Sequence, residues 1–150
     1  MSTYGEKVLI EYEAWGDKKK KGIKTTLDRE KEDLGKENEK VVESLREAYE
    51  AGAIKGKLIH GSQSNMVELS FPGKRQRIIL QHIKDNIYVI LSIYVINAQR
   101  TNDEKRNAIN ERANIVASKK DLIYAYATKE DFENQKMDGT YGNGKSQSRK

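Results

Sequence analysis

The segment Ile87–Ile96, IYVILSIYVI, is apolar at nearly every position and rich in β-branched and aromatic residues. A strand that is apolar on both faces belongs in the middle of a sheet that is covered on both sides. The segment is only about half as long as the ~20 residues that a membrane-spanning helix needs. The pattern therefore predicts a central β-strand with other elements packed above and below it, and no membrane segment.

Met66–Phe71 alternates between apolar and polar residues, as a strand with one buried face does. Pro72-Gly73 after it has the residue types of a type II turn, and Lys74–Ile83 is expected to continue as the second strand of a hairpin. The same reasoning predicts a first strand over Lys7–Trp15 and a short one over Lys57–His60. We expect a small, twisted, mostly antiparallel sheet of four or five strands.

The acidic block between the first two strands is predicted to be helical. Thr25 followed by Asp28 resembles a capping box, and apolar residues then recur every seven positions at Leu27, Leu34, Val41 and Ala48. Gly35 lies inside this stripe, where a glycine costs roughly 1 kcal/mol relative to alanine. The block is either one long helix or a hairpin of two helices separated at Gly35.

Thr101 with Glu104 forms a second capping-box pattern and predicts a helix that runs to about Ser118. Leu122–Ala127 fits either a strand or a helix, and the glycine-rich, polar residues 138–150 are expected to form a flexible tail. The sequence thus predicts an α+β fold, with one domain over residues 1–137 and a tail over 138–150.

Charge is distributed unevenly along the chain. Residues 1–50 carry 11 Lys and Arg against 13 Asp and Glu, whereas residues 51–150 carry 17 against 10. Residues 52–101 include seven basic residues and only two acidic ones, Glu68 and Asp85. Such a region would attract a polyanion, although a solvated basic face that only maintains solubility has the same composition.

Several functional classes are not expected. The chain has no cysteine and only two histidines, which leaves no disulfide framework, no Cys nucleophile and no recognisable metal site. GNGK at residues 142–145 does not match a phosphate-binding loop, and G-x-S-x-G is absent. The N-terminal residues have no signal-peptide pattern, so we expect a cytoplasmic protein. Because the sequence has no recognisable metal site or phosphate-binding loop, we also expect that the protein needs neither metal nor cofactor.

The basic residues that remain suit a phosphodiester ligand. Arg75 and Arg77 would share one face of a strand, and Asn97, Gln99 and Arg100 would immediately precede a helix N-terminus. One guanidinium group can bind two phosphate oxygens at once, and the N-terminus of a helix adds backbone N–H donors. The alternative is that both arginines pair with Glu68 and the acidic helices.

Other side chains are weaker candidates. His60 and His82 could exchange a proton near neutral pH, but each fits a structural role as well. Tyr88 and Tyr94 are interpreted as core residues. Tyr124 and Tyr126 could stack on bases, although packing is the more common role of such residues.

The order of these segments resembles the RelE/ParE superfamily of toxins, nearest to its HigB-like and phage-derived branch. The resemblance runs from about Val8 to Val116. It rests on a strand, a helical block ending in EAYEAG, and three short motifs: MVEL before the hairpin, RIIL from Arg77 onward, and QRT after the long strand.

The resemblance implies the toxin of a type II toxin–antitoxin system, a metal-independent endoribonuclease that cuts messenger RNA, commonly on the ribosome, and is silenced by an antitoxin protein. Arg77 matches the family arginine and would stabilise the phosphorane. The supporting residues would be Arg75, Arg100 and His60 for catalysis and Lys57, Lys74, Asn97 and Gln99 for RNA binding.

The sequence departs from the family pattern at two points. Asn97-Ala98 stands where HigB-like toxins usually have two lysines, and Asn102 replaces a common proline. A non-catalytic relative that binds RNA or protein therefore stays open as an alternative, as does a ParE-like inhibitor of gyrase.

Overall fold

The computed structural model describes residues 7–15, 24–59, 65–96 and 103–137. The fold is α+β, with a five-stranded mixed sheet and four helices in the described ranges. In chain order the elements are β1 (Val8–Glu11), α1 (Thr26–Leu34), α2 (Lys36–Glu50), β2 (Lys57–Leu58), β3 (Met66–Leu69), β4 (Gln76–Lys84), β5 (Ile87–Val95), α3 (Asp103–Ser118) and α4 (Lys120–Met137).

The strands lie in the order β1-β5-β4-β3-β2. From β2 to β5 all neighbours are antiparallel, but β1 is parallel to β5, with Val8 opposite Ile87 and Glu11 opposite Ile90. The expectation of a mostly antiparallel sheet of four or five strands is confirmed, since three of the four strand pairs are antiparallel, while the parallel direction of β1 was not predicted. Strand periodicity carries no information on direction, which depends on how the chain returns through α1 and α2.

The first strand is also shorter than predicted. It ends at Glu11, and Glu13 adopts a left-handed backbone conformation with φ 70°. Tyr12 and Trp15 beyond it are nevertheless buried, and they reach the core from a turn rather than from a strand.

The predicted helix start is confirmed, and of the two alternatives for the acidic block the structure has two helices separated at Gly35. The Thr25 hydroxyl accepts a hydrogen bond from the Asp28 N–H at 3.1 Å, and the Asp28 carboxylate accepts one from the Thr25 N–H at 2.9 Å. Gly35 separates α1 from α2 with φ 86°, a conformation that residues with a Cβ rarely adopt.

The central strand is covered on both faces, as its sequence predicts. Ile90 and Ile93 contribute to a first core, formed with α1 and α2. Val89 and Leu91 contribute to a second core, which includes residues of α3 and α4. A register shift between Ile79 and Leu80 leaves Leu91 without a partner in the β4–β5 ladder, so Ile90 and Ile93, which lie three residues apart, both pack in the first core.

The β3–β4 hairpin turns where the sequence predicts. Gly73 has φ 77°, and the Lys74 N–H donates to the Phe71 carbonyl at 3.1 Å, which closes the turn. Strand β4 begins at Gln76, one residue after Arg75.

The ambiguous segment after α3 is helical. Ile123 and Ala127 are fully buried in the second core and lie four residues apart, on one face of α4. In the described ranges no helix is long and apolar enough to cross a membrane. The predicted tail, residues 138–150, lies outside the described residues.

Candidate functional site

Arg77 lies near the start of β4, and its guanidinium is held in place by the backbone of the hairpin. Nη1 donates to the carbonyl oxygens of Lys74 at 2.7 Å and Gln76 at 3.0 Å. Nε lies 3.9 Å from Oε2 of Glu68, an ion pair too long to be a hydrogen bond. In the described part of the chain, Nε and Nη2 therefore keep the donor capacity that a phosphate would use.

Arg77 is partly buried at this position. Its side chain is 19% exposed, so it is not a freely solvated residue. The alternative raised by the sequence, pairing with Glu68, is present in a loose form. Arg77 is both anchored and incompletely satisfied, which is the state expected of a preorganised donor rather than of a closed structural ion pair.

Tyr94 stands beside Arg77 on the sheet. The two residues are directly opposite each other on β4 and β5, and opposite residues share a face. Tyr94 is partly buried against the second core, and Lys105 Nζ lies 5.6 Å from its ring centroid. Two cationic side chains thus stand next to one aromatic ring at this end of the sheet.

The remaining described basic candidates lie around Arg77. Lys57 is exposed on β2, opposite Glu68 of β3. Lys74 and Arg75 are exposed in the hairpin, and Arg75 precedes β4 instead of sharing a strand face with Arg77 as predicted. The structure thus places three further cations in the elements that flank Arg77.

Four candidates lie outside the described residues, namely His60, Asn97, Gln99 and Arg100. Their roles, and the helix cap expected at Thr101, stay predictions.

His82 has a structural environment. Its Nε2 lies 2.7 Å from the Asp85 carbonyl oxygen, and its ring centroid lies 4.8 Å from that of Tyr88, with the two rings tilted by 40°. Tyr124 donates to the Asp85 carboxylate at 3.1 Å and lies under Lys84. These contacts secure the β4–β5 turn, and they fit the interpretation of Tyr88 as a core residue and of Tyr124 as a packing residue.

Sequence reasoning missed the most connected carboxylate of the described chain, Glu30 of α1. It accepts hydrogen bonds from Ser92 Oγ, the Ile93 N–H, Lys105 Nζ and Arg112 Nη1, all between 2.9 and 3.2 Å.

A signal for this role exists in the sequence. Glu30 lies three residues after Leu27 and four before Leu34, so it falls on the buried stripe of an otherwise solvated acidic helix. A carboxylate on such a stripe needs partners.

Glu30 ties α1 to the start of α3. Arg112 also donates to the Leu91 carbonyl at 2.8 Å, so the cluster joins both helices to the edge of β5. Glu30 thus connects Ile93 of β5 with Lys105 of α3, which are described residues on either side of residues 97–102.

No protein-family model matches this chain, and no curated protein matches it.

Proposed function

We propose that this protein is the toxin of a type II toxin–antitoxin system with a RelE-like fold, acting as a metal-independent endoribonuclease on messenger RNA in the cytoplasm. The observation that carries the proposal is the state of Arg77, which is anchored through Nη1 while Nε and Nη2 keep unused donor capacity. It is the residue that the resemblance matches to the family arginine.

The element order supports the same proposal. A strand precedes two helices divided at Gly35, and these are followed by a run of antiparallel strands and then by helix. This is the order of segments on which the resemblance rests. A cognate antitoxin protein is the partner that such a toxin requires.

Cleavage of RNA by its own 2′-oxygen requires few protein side chains. When the RNA 2′-oxygen attacks the adjacent phosphorus, negative charge accumulates on the phosphorane, and a fixed guanidinium stabilises that charge without reorganising. Tyr94, opposite Arg77, offers an aromatic surface for a neighbouring base. The exposed cations Lys57, Lys74 and Arg75 would hold the RNA backbone.

One observation favours a second candidate, an RNA-binding relative that does not cleave. Among the described residues, Glu68 is the titratable group that pairs with Arg77. His82 contacts the Asp85 carbonyl oxygen at the β4–β5 turn instead. The proton-transfer candidate of the primary proposal, His60, lies outside the described residues. A binding module would need only the cations.

The deciding experiment is induced expression with growth measurement and mapping of transcript 5′ ends. We expect the wild-type chain to arrest growth and create new ends. Arg77→Ala should lower cleavage by about 10² to 10³, the usual cost of losing one preorganised donor. Arg77→Lys should also fail because an ammonium cannot reproduce the planar fork.

Arg29→Ala is the matched control, since Arg29 is an exposed arginine on α1. It should leave cleavage unchanged. Arg77→Ala should cost about 1 kcal/mol of stability because two carbonyl hydrogen bonds are lost. Full toxicity of Arg77→Ala would contradict the assigned role, and RNA binding by a wild-type chain that never cleaves would favour the second candidate.

A further inference from the structure

The edge of β5 is only half covered by β1. Their ladder ends at the pair Glu11 and Ile90, whereas β5 continues to Val95. Beyond Ile90 the described residues provide no strand neighbour on this side. Side chains meet part of the edge instead, since Glu30 accepts from the Ile93 N–H and Arg112 donates to the Leu91 carbonyl.

The direction of the remaining backbone groups follows from the β4–β5 ladder. The Ile96 N–H donates to the Arg75 carbonyl at 2.8 Å, so Ile96 faces β4. Because hydrogen-bonded and non-hydrogen-bonded pairs alternate in an antiparallel ladder, Val95 and Ile93 direct their N–H and C=O groups away from β4. Within the described ranges the Ile93 carbonyl and the Val95 N–H have no hydrogen-bond partner.

A cavity of about 270 Å³ opens at this edge. Its lining comprises Glu30, Asp33, Leu34, Asn38, Ile93, Tyr94, Val95 and Lys105. Two carboxylates and one ammonium give the lining a net negative charge. The volume is below the roughly 300–1,000 Å³ of pockets for drug-sized ligands, and it suits a single long side chain.

Asp33 is the carboxylate of this cavity that is left for a ligand. Glu30 is engaged by Lys105 and Arg112, whereas Asp33 is exposed and has no side-chain partner among the described residues. The surrounding helices reinforce its charge, because α1 and α2 carry six exposed acidic residues against three exposed basic ones.

We propose that this half-open edge binds an extended segment of a partner protein, added to β5 as a parallel strand in line with β1 and carrying an arginine that pairs with Asp33. In parallel pairing a single residue of the added strand can donate to the Ile93 carbonyl and accept from the Val95 N–H. The arginine fork can hold both oxygens of Asp33 while its aliphatic stem lies against Leu34.

The test is binding of the peptide acetyl-Thr-Val-Arg-Val-Thr-amide to the full chain, with backbone amide shifts and a titration as readouts. The expected result is a shift centred on Val95 that weakens at least tenfold when glutamine replaces the peptide arginine. Asp33→Asn should weaken binding by a similar factor, since hydrogen bonds to charged groups are the strong ones.

Val95→Pro removes the edge-facing N–H without removing a β4 ladder bond, and it should weaken binding severalfold. Glu47→Gln, which neutralises an exposed carboxylate elsewhere on α2, is the matched control and should bind as the wild type does. Equal affinity of the arginine and glutamine peptides, or unchanged binding by both Asp33→Asn and Val95→Pro, would overturn the proposal. Because the readout is peptide binding, this result is independent of whether the chain cleaves RNA.

Discussion

Two arginine–glutamate pairs lie on different parts of the sheet, and they differ in how completely their side chains are hydrogen-bonded. Arg112 and Glu30 are 2.9 Å apart, their side chains are 14% and 12% exposed, and both make further hydrogen bonds. Arg77 and Glu68 are 3.9 Å apart, with side chains 19% and 26% exposed, and no direct hydrogen bond joins them. The first pair is structurally complete, whereas the second has capacity for a ligand.

The difference lies in what surrounds each carboxylate. Glu30 meets a strand edge and two cations at once, so its oxygens are fully used. Glu68 stands on β3 between Lys57, which is exposed on the edge strand, and Arg77, which is partly buried and only loosely paired with it. Burial with complete hydrogen bonding marks a structural pair, and incomplete bonding beside exposed cations marks a binding surface.

The largest expected effect is on stability at the first pair. Glu30→Ala should lower the free energy of unfolding by about 3–5 kcal/mol because it leaves Arg112 and Lys105 without their shared carboxylate. Glu68→Ala, the parallel change at the second pair, should cost no more than about 1 kcal/mol. Urea denaturation of the three proteins measures both values, and equal losses would remove the distinction between the pairs.

A smaller effect is expected on RNA affinity at the second pair. Glu68→Gln removes the carboxylate that competes for Arg77 Nε, so single-stranded RNA should bind a few times more tightly than to the wild type. Filter binding at low and moderate salt would measure this change. Glu32→Gln, at an exposed residue of α1 that pairs with Lys24, is the control.

Salt dependence sharpens the same comparison. RNA affinity should fall steeply as salt rises, and Arg75→Ala should weaken binding and flatten that slope, because Arg75 is an exposed cation of the hairpin. Stability of the Glu30 cluster should change little over the same range, since partly buried pairs are screened less than exposed ones. Binding that does not depend on salt would contradict an electrostatic role for this surface.

A third cluster, Glu11 with Lys31 and Arg46, extends the comparison to pH, with the smallest effect. Burial raises the pKa of Glu11, but Lys31 at 2.6 Å and Arg46 at 3.1 Å together lower it by more, and the net result is a pKa below the ordinary 4.5. The cluster therefore contributes fully to stability above about pH 4.5 and loses its contribution as pH falls through the lower folded pKa.

The measurement is the free energy of unfolding against pH for the wild type and Glu11→Gln. The wild type should be the more stable protein near neutrality, and the difference in the free energy of unfolding between the two proteins should decrease below pH 4.5 as Glu11 becomes protonated. If the difference in the free energy of unfolding stays constant through the acid range, the ionised form of Glu11 is not the stabilising species.

Much of the architecture was predictable because its signals are local. The apolar run of β5 required covers on both faces, Pro72-Gly73 specified the hairpin turn, and Thr25 with Asp28 specified the start of α1. Each signal depends on residues within one element or turn, where side-chain periodicity and backbone preference act directly.

What only the tertiary structure decided are the long-range pairings. Glu30 finds Ser92 and Arg112 at separations of 62 and 82 residues, β1 aligns parallel to β5, and Arg77 is fixed by the hairpin it follows while only loosely paired with Glu68. The sequence by itself determined which residues were apolar, capped or charged. Which charges met, and which retained capacity for a ligand, depended on strand direction and register, which a period of two or 3.6 residues does not encode.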